Sequence, residues 1–330
     1  MIAPMILVPS LLFMPLDEKA IKPAIEKGLE RLQTAATSYT KNRSCFSCHH
    51  QAMPMLTFAV AKKHGYAIDD AVMEKQRDFT LAFFKERVKQ LDEGRNIGGG
   101  STTVVYGLIA LKAAGHPRDE VTDALTGYLR TKQTREGTWP SSSNRPPSQG
   151  SALTHAGLAL DTLNHFTADS SDELKDKTAA VYDKALKGLR SATLDSTEDR
   201  VFHLWGLISA KADADEVAKA RDELLKLQRP DGGWAQLPDM ASDAYATGSV
   251  LYALRLAGLP AEDARVKKAM HYLLVTQGDT GGWVVKTRAR PVQTYFDNGD
   301  PGGKSQFIST AATAWCIAAL IECEPPRTQR

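Results

Sequence analysis

Glu223-Leu-Leu-Lys-Leu-Gln-Arg-Pro-Asp-Gly-Gly-Trp234 decides how the rest of the chain is read. The spacing predicts a helix ending near Gln228, a turn through Pro230-Asp231-Gly232-Gly233, and Trp234 laid against that turn. Pro230 removes a backbone donor and the glycine pair frees the backbone, so the helix stops there. A second, apolar helix is predicted from Asp243 to Gly258, where Gly258 and Pro260 stop it in the same way.

The pattern recurs. Gln133-Thr-Arg-Glu-Gly137-Thr-Trp139 and Gln277-Gly-Asp-Thr-Gly281-Gly-Trp283 repeat the Gln-x3-Gly-x-Trp spacing, and Gln90-Leu-Asp-Glu-Gly94 is a worn copy without the tryptophan. Successive glutamines lie 43, 95 and 49 residues apart, and the middle interval reads as two units. A period of roughly 45–50 residues is the range of stacked helix pairs. Six pairs are expected: 21–33 with 45–64, 71–91 with 101–114, 119–132 with 151–165, 171–191 with 197–212, 214–227 with 243–257, and 264–276 with 309–322. The second helix of each pair is the more apolar, as over 104–111 and 311–320, whereas first helices carry charge, as over 216–226. A helix apolar nearly all round is buried, and one with a charged face lies outside. The expected fold is therefore all-α, an α/α toroid with an inner ring of parallel helices inside an outer ring. Two loops entering inner helices are long, 140–150 and 284–306, and long ordered loops in compact domains are often functional. The second is expected to lid the central cavity.

At 330 residues, with 42% hydrophobic and 24% charged residues, the chain has the composition of a globular protein with a sizeable core. The repeat array argues for a single toroid domain over 21–330. The net charge of +2, without a Lys/Arg block, leaves no electrostatic footprint for nucleic acid. Residues 1–20 open on an apolar stretch that is uncharged until Asp17, too short and proline-rich to span a bilayer comfortably. It is expected to act as an export signal or anchor, placing the protein in the periplasm or at a membrane, although the usual basic leader is missing.

Four cysteines are too few for a disulfide scaffold. Cys316 and Cys323 are seven residues apart on one predicted helix and read as small core residues. Cys45 and Cys48 belong to Ser44-Cys45-Phe-Ser-Cys48-His49-His50-Gln51, which contains Cys-x-x-Cys-His, the c-type haem attachment sequence. Cysteines three apart on one helical turn reach both haem vinyl groups, and His49 then coordinates the iron from the same side. Two other readings stay open: zinc held by Cys45, Cys48 and His49 or His50, and a redox dithiol or disulfide. A second iron ligand should come from another unit, with His155 and His203 as candidates; each alone also reads as a satisfied core histidine.

The Gln-x3-Gly-x-Trp turns resemble the QW repeats of squalene–hopene cyclases and other terpenoid cyclases, and the related repeats of protein prenyltransferase β subunits. The resemblance covers about residues 70–323 and implies an α/α toroid with a largely apolar central cavity. It transfers function less fully. Class II cyclases protonate a polyene with the middle aspartate of Asp-x-Asp-Asp-Thr. Here Ala241-Ser242-Asp243-Ala-Tyr-Ala-Thr247 keeps only the last, which makes Asp243 a catalytic candidate and puts Ser242 in the proton donor's place. The zinc histidine of prenyltransferases is replaced by Ala246. Asp243 also reads as a plain helix N-cap. The chain further resembles bacterial exported toroid proteins with a similar Ser-Cys-x-Ser-Cys-His-His-Gln segment, which is read there as a haem site.

The leading expectation is an exported toroid protein with one covalent c-type haem, serving electron transfer with a redox partner or a haem-dependent oxidation. The alternatives are a terpenoid-cyclase-like enzyme holding a hydrophobic isoprenoid in its cavity, and a non-catalytic lipid- or protein-binding barrel.

Overall fold

The computed structural model of the chain describes residues 16–141, 145–291 and 294–324; of the expected leader over 1–20, residues 1–15 lie outside them, and 18–20 form the start of the first helix, capped by Asp17. Twelve helices pair along the chain. Outer α1 (Glu18–Asn42) is followed by inner α2 (Met53–Lys63), and outer α3 (Asp70–Lys85), continued by the short α4 (Val88–Asp92), by inner α5 (Gly100–Ala113). Then come α6 (Glu120–Lys132) with α7 (Ala152–Thr167), α8 (Asp172–Ser191) with α9 (Thr197–Ser209), α10 (Ala214–Lys226) with α11 (Ala244–Leu256), and α12 (Ala264–Thr276) with α13 (Gln306–Cys323). The described residues contain no β-strand.

The inner helices form a closed ring. α2 packs on α5, α5 on α7, α7 on α9, α9 on α11, α11 on α13, and α13 returns to α2. An inner helix has ring neighbours on two sides and an outer helix behind it, which is why α5, α11 and α13 bury nearly every residue. α13 is long and apolar enough to cross a membrane, yet 89% of that window is buried within the ring, as a core helix requires. The six expected pairs are all present. Three boundaries differ. α1 continues to Asn42 because Ala35, Ala36 and Tyr39 extend its buried stripe. The helix expected over 71–91 breaks between α3 and α4. Cys45 lies in a bend, and the first inner helix begins at Cys48 as a π-turn over Cys48–Ala52.

The repeated turn explains the ring. In each full copy the indole N–H donates to a carbonyl in the last turn of its own outer helix: Trp139 to Leu129 O at 2.7 Å, Trp234 to Leu224 O at 2.8 Å, Trp283 to Leu273 O at 3.0 Å. Those carbonyls lie in the last turn, where the i+4 backbone donors run out; Leu224 O also accepts from Leu227 N–H, and Leu273 O from Thr276 Oγ1. The glutamine amide donates twice, to its own turn and to the next outer helix. Gln133 reaches Gly137 O and Val181 O, Gln228 reaches Gly232 O and Arg265 O, and Gln277 reaches Gly281 O and Ala24 O. Ala24 belongs to α1, so the last turn docks on the first outer helix and closes the toroid. The glycine of each turn has a positive φ, +86°, +87° and +84° at Gly137, Gly232 and Gly281. Each also sits hard against the next outer helix; a Cβ on Gly281 would stand 2.6 Å from the Lys27 carbonyl.

Gly281→Ala should therefore cost far more than Gly258→Ala. Gly258 shares a positive φ of +77°, but a Cβ there would meet nothing within 4 Å, so its substitution should cost about 1 kcal/mol. Chemical denaturation of both variants checks this. Equal losses would mean that contact between the last turn and α1 does not hold the ring shut.

Candidate functional site

All six inner helices start at one rim of the ring, and a cavity of about 480 Å³ opens there. Cys45, Cys48 and His49 all line it, with Phe46, Phe307 and Ile308 supplying apolar wall. Both long loops take part. Arg145, Pro146 and Gln149 come from the first, and Thr287, Arg290, Tyr295 and Lys304 from the second.

The local sequence places the motif through the π-turn. Ser47 accepts from His50 N, and its own N–H donates to Gln51 Oε1 at 2.6 Å. Those bonds start the helix at Cys48, where Met53 N–H reaches back five residues to Cys48 O. Single π-turns of this kind often mark functional positions. The expectation that both cysteines share one helical turn is corrected: Cys45 is exposed in the preceding bend and Cys48 half-buried at the helix start. They nevertheless face the same cavity.

Each group has a partner. Cys45 Sγ lies 3.2 Å from Tyr39 Oη. Cys48 Sγ accepts from Gln149 Nε2 at 2.8 Å and lies 3.0 Å from His49 Nδ1. His49 Nε2 is 3.1 Å from Ser148 Oγ, and the ring stands edge-on to Phe307. Burial, reinforced by the nearby Arg145 cation, holds the His49 pKa down to about 4. Burial pushes the Cys48 thiol up to about 11, against the Gln149 hydrogen bond and the Arg145 charge. The imidazole is thus neutral and the thiol protonated at neutral pH. His50 is buried behind the cavity wall, against Tyr39 and Phe307, and does not itself line the cavity. It stacks on Tyr39 with centroids 5.0 Å apart, touches Asn298 through Nε2, and is fully buried with Nδ1 unpartnered.

Among the described residues no three His, Cys, Asp or Glu side chains converge as a metal cluster, so the zinc set of Cys45, Cys48 and His49 or His50 is not assembled in this geometry. His155 is a core histidine, with Nε2 2.9 Å from Thr102 Oγ1 and Nδ1 3.3 Å from Trp139 O. Its place in α7 is that of Thr247 in α11, which likewise bonds the tryptophan of its turn. His203 faces α8, bonding Leu189 O. Neither lines the cavity, which corrects both as candidate iron ligands. Asp243 caps α11, accepting from Ala246 N at 3.0 Å, and burial raises its carboxyl. It lies outside the cavity wall, and Ser242 bonds Asp231.

Sequence reading missed Glu198. It sits in the first turn of α9, 4% exposed, with Oε1 accepting from Thr154 Oγ1 at 2.9 Å and Tyr245 Oη at 3.3 Å. Oε2 is buried without a partner. Burial raises its pKa from 4.5 to about 8. Its sequence context offers no distinct signal, because Asp199 and Arg200 follow it in the same first turn of α9. Further along the inner helices Phe202 and Trp205 of α9, Tyr252 of α11 and Trp315 of α13 pack ring on ring, with centroids 5.5 to 6.3 Å apart.

The fold is shared with solved structures at low identity. A wild-type glycosidase superposes with a TM-score of 0.60 at 11% identity, over 94% of this chain and 100% of its own. A possible member of the GH105 family from Klebsiella pneumoniae gives 0.55 at 12%, over 98% of each. At such identities only the architecture is shared. In sequence, a 103-residue stretch, 31% of this chain, is 33% identical to the squalene–hopene cyclase of Zymomonas mobilis and spans 14% of that protein's length. Residues 163–329, half of the chain, match the squalene–hopene cyclase C-terminal domain, and the chain belongs to that family.

Proposed function

We propose that the chain carries one c-type haem in the mouth of the toroid, attached through Cys45 and Cys48 with His49 toward the iron, and serves electron transfer or a haem-dependent oxidoreduction. The observation behind this reading is that all three motif residues open on one cavity, although they do not share a helical turn. Its 480 Å³ lies within the roughly 300–1,000 Å³ of cofactor and small-molecule sites. The donor set suits the group: two thiols facing the cavity, a neutral imidazole and apolar wall from Phe46, Phe307 and Ile308. When bound, a haem supplies one-electron exchange at its iron. The chain's own part is to present His49 uncharged, to hold its ring against Phe307, and to exclude water with the two loops. Ser148 and Gln149 occupy His49 Nε2 and Cys48 Sγ and would have to release them. The reading carries export with it, because the thioether bonds are made outside the cytoplasm.

Expression of the full chain with a cytochrome c maturation system should give a haem-staining band that survives denaturation. Replacement of Cys45 and Cys48 together by serine should remove it, and His49→Ala should alter the absorption spectrum while leaving the stain. A colourless wild-type band would end the reading.

A second reading, acid chemistry on an isoprenoid within the barrel, has Glu198 behind it, a buried carboxyl that stays protonated at neutral pH. Incubation with squalene and shorter polyprenyl substrates should then give product that Glu198→Gln abolishes. The same residue sets a pH dependence. Its folded pKa lies above the ordinary value, so its stabilising contribution is complete below about pH 4.5 and is lost as pH rises through about 8. Between those limits wild type should lose up to about 1.4 kcal/mol per pH unit relative to Glu198→Gln. Parallel denaturation curves for the two proteins across pH 5 to 8.5 would show instead that the carboxyl is ionised in the fold.

A further inference from the structure

The cavity wall carries three cations, Arg145, Arg290 and Lys304, and no aspartate or glutamate. Elsewhere arginines are commonly paired, as Arg118 with Asp123, Arg190 with Glu216 and Arg265 with Asp263. The three at the mouth form no ion pair among the described residues, and Arg145 Nε is buried without a hydrogen-bond partner. A chain of net charge +2 has no general surplus of cations to account for this. The wall comes from two separate loops, Arg145 preceding α7 and Arg290 with Lys304 preceding α13. α5 and α13 also begin at this wall without side-chain caps, and the positive ends of their helix dipoles add positive potential. Leaving a guanidinium partly buried and unpaired is costly, and a carboxylate relieves that cost with paired, charge-assisted hydrogen bonds.

We propose that this wall holds the carboxylate edge of the cavity's occupant, with Arg145 from one loop and Arg290 and Lys304 from the other. The inference rests on the haem reading, in which those carboxylates are the two porphyrin propionates, and the apolar floor of Phe46, Phe307 and Ile308 takes the ring. It assigns to both long loops a shared task, gripping the acidic edge while the motif grips the opposite one.

Free-base protoporphyrin IX and its dimethyl ester separate this idea from haem attachment, because neither carries iron or forms a thioether. Binding of each to the full chain, made without haem maturation, is followed by porphyrin fluorescence. The diacid should bind at least tenfold more tightly than the ester, and the preference should shrink to about threefold or less in Arg145→Gln combined with Lys304→Gln. Lys304→Gln alone, at an exposed position, should reduce it partly without risk to folding, and added salt should weaken the diacid alone. Equal binding of the two porphyrins, an unchanged preference in the variants, or binding of neither would overturn the proposal. Haem staining of the exported protein reports on the attachment reading independently of all three results.

Discussion

The fold depends on a side-chain amide with two N–H groups to give. In each full turn the glutamine donates one to the glycine carbonyl of its own turn and the other to a carbonyl of the following outer helix. A carboxylate in its place would face two carbonyl oxygens with no proton to offer, and an ammonium would have to be stripped of water to reach them. Because each of the three full turns is fastened to the next unit rather than only to itself, the pairs that carry it share one curvature. The glycine without a side chain lets the backbones come close enough for the amide to span them. After six pairs the curvature returns to the start, and Gln277 meets α1 instead of a seventh unit.

Closure has a consequence for chemistry. With every inner helix entered from an outer one, all inner N-termini share a rim, and only the loops on that rim cross the mouth. On the other rim the connections are short and turn on glycines such as Gly65, Gly115 and Gly258, which have open space around them. The loops over 140–150 and 284–306 stand on the mouth rim, and both wall the cavity. The first inner helix also reaches further toward the mouth than α11 does, measured back from Gly65 and Gly258, because it begins with a π-turn. That places Cys48 and His49 at the rim rather than inside the ring.

The architecture was legible because it repeats: three copies of one seven-residue pattern report the same contacts three times. The cysteine and histidine motif was legible because its members are consecutive. What sequence hid was whatever depends on distant partners. Nothing near Arg145 or Lys304 marks them as sharing a wall with His49. His155 on an apolar helix reads both as a ligand and as a core histidine until Thr102 and Trp139 are seen to occupy both nitrogens. The π-turn depends on Gln51 bonding back to Ser47, which a helical periodicity over 45–64 does not register. Glu198 escaped because its meaning comes from Thr154 and Tyr245 on the two flanking helices.

Electrostatics bears on both of the proposed readings. The buried groups near the mouth are kept neutral, His49 and His50 by lowered pKa values and Cys48 and Glu198 by raised ones. The fixed charges on the cavity wall are then all positive. A carbocation forming in that field at roughly 10 Å from each cation would be raised by about 1–2 kcal/mol per cation at an effective dielectric near 20. The aromatic rings that stabilise such cations elsewhere are here packed on one another. The same field lowers the energy of an anionic edge, so the cationic wall favours an acidic macrocycle seated at the rim over a cation migrating through the ring.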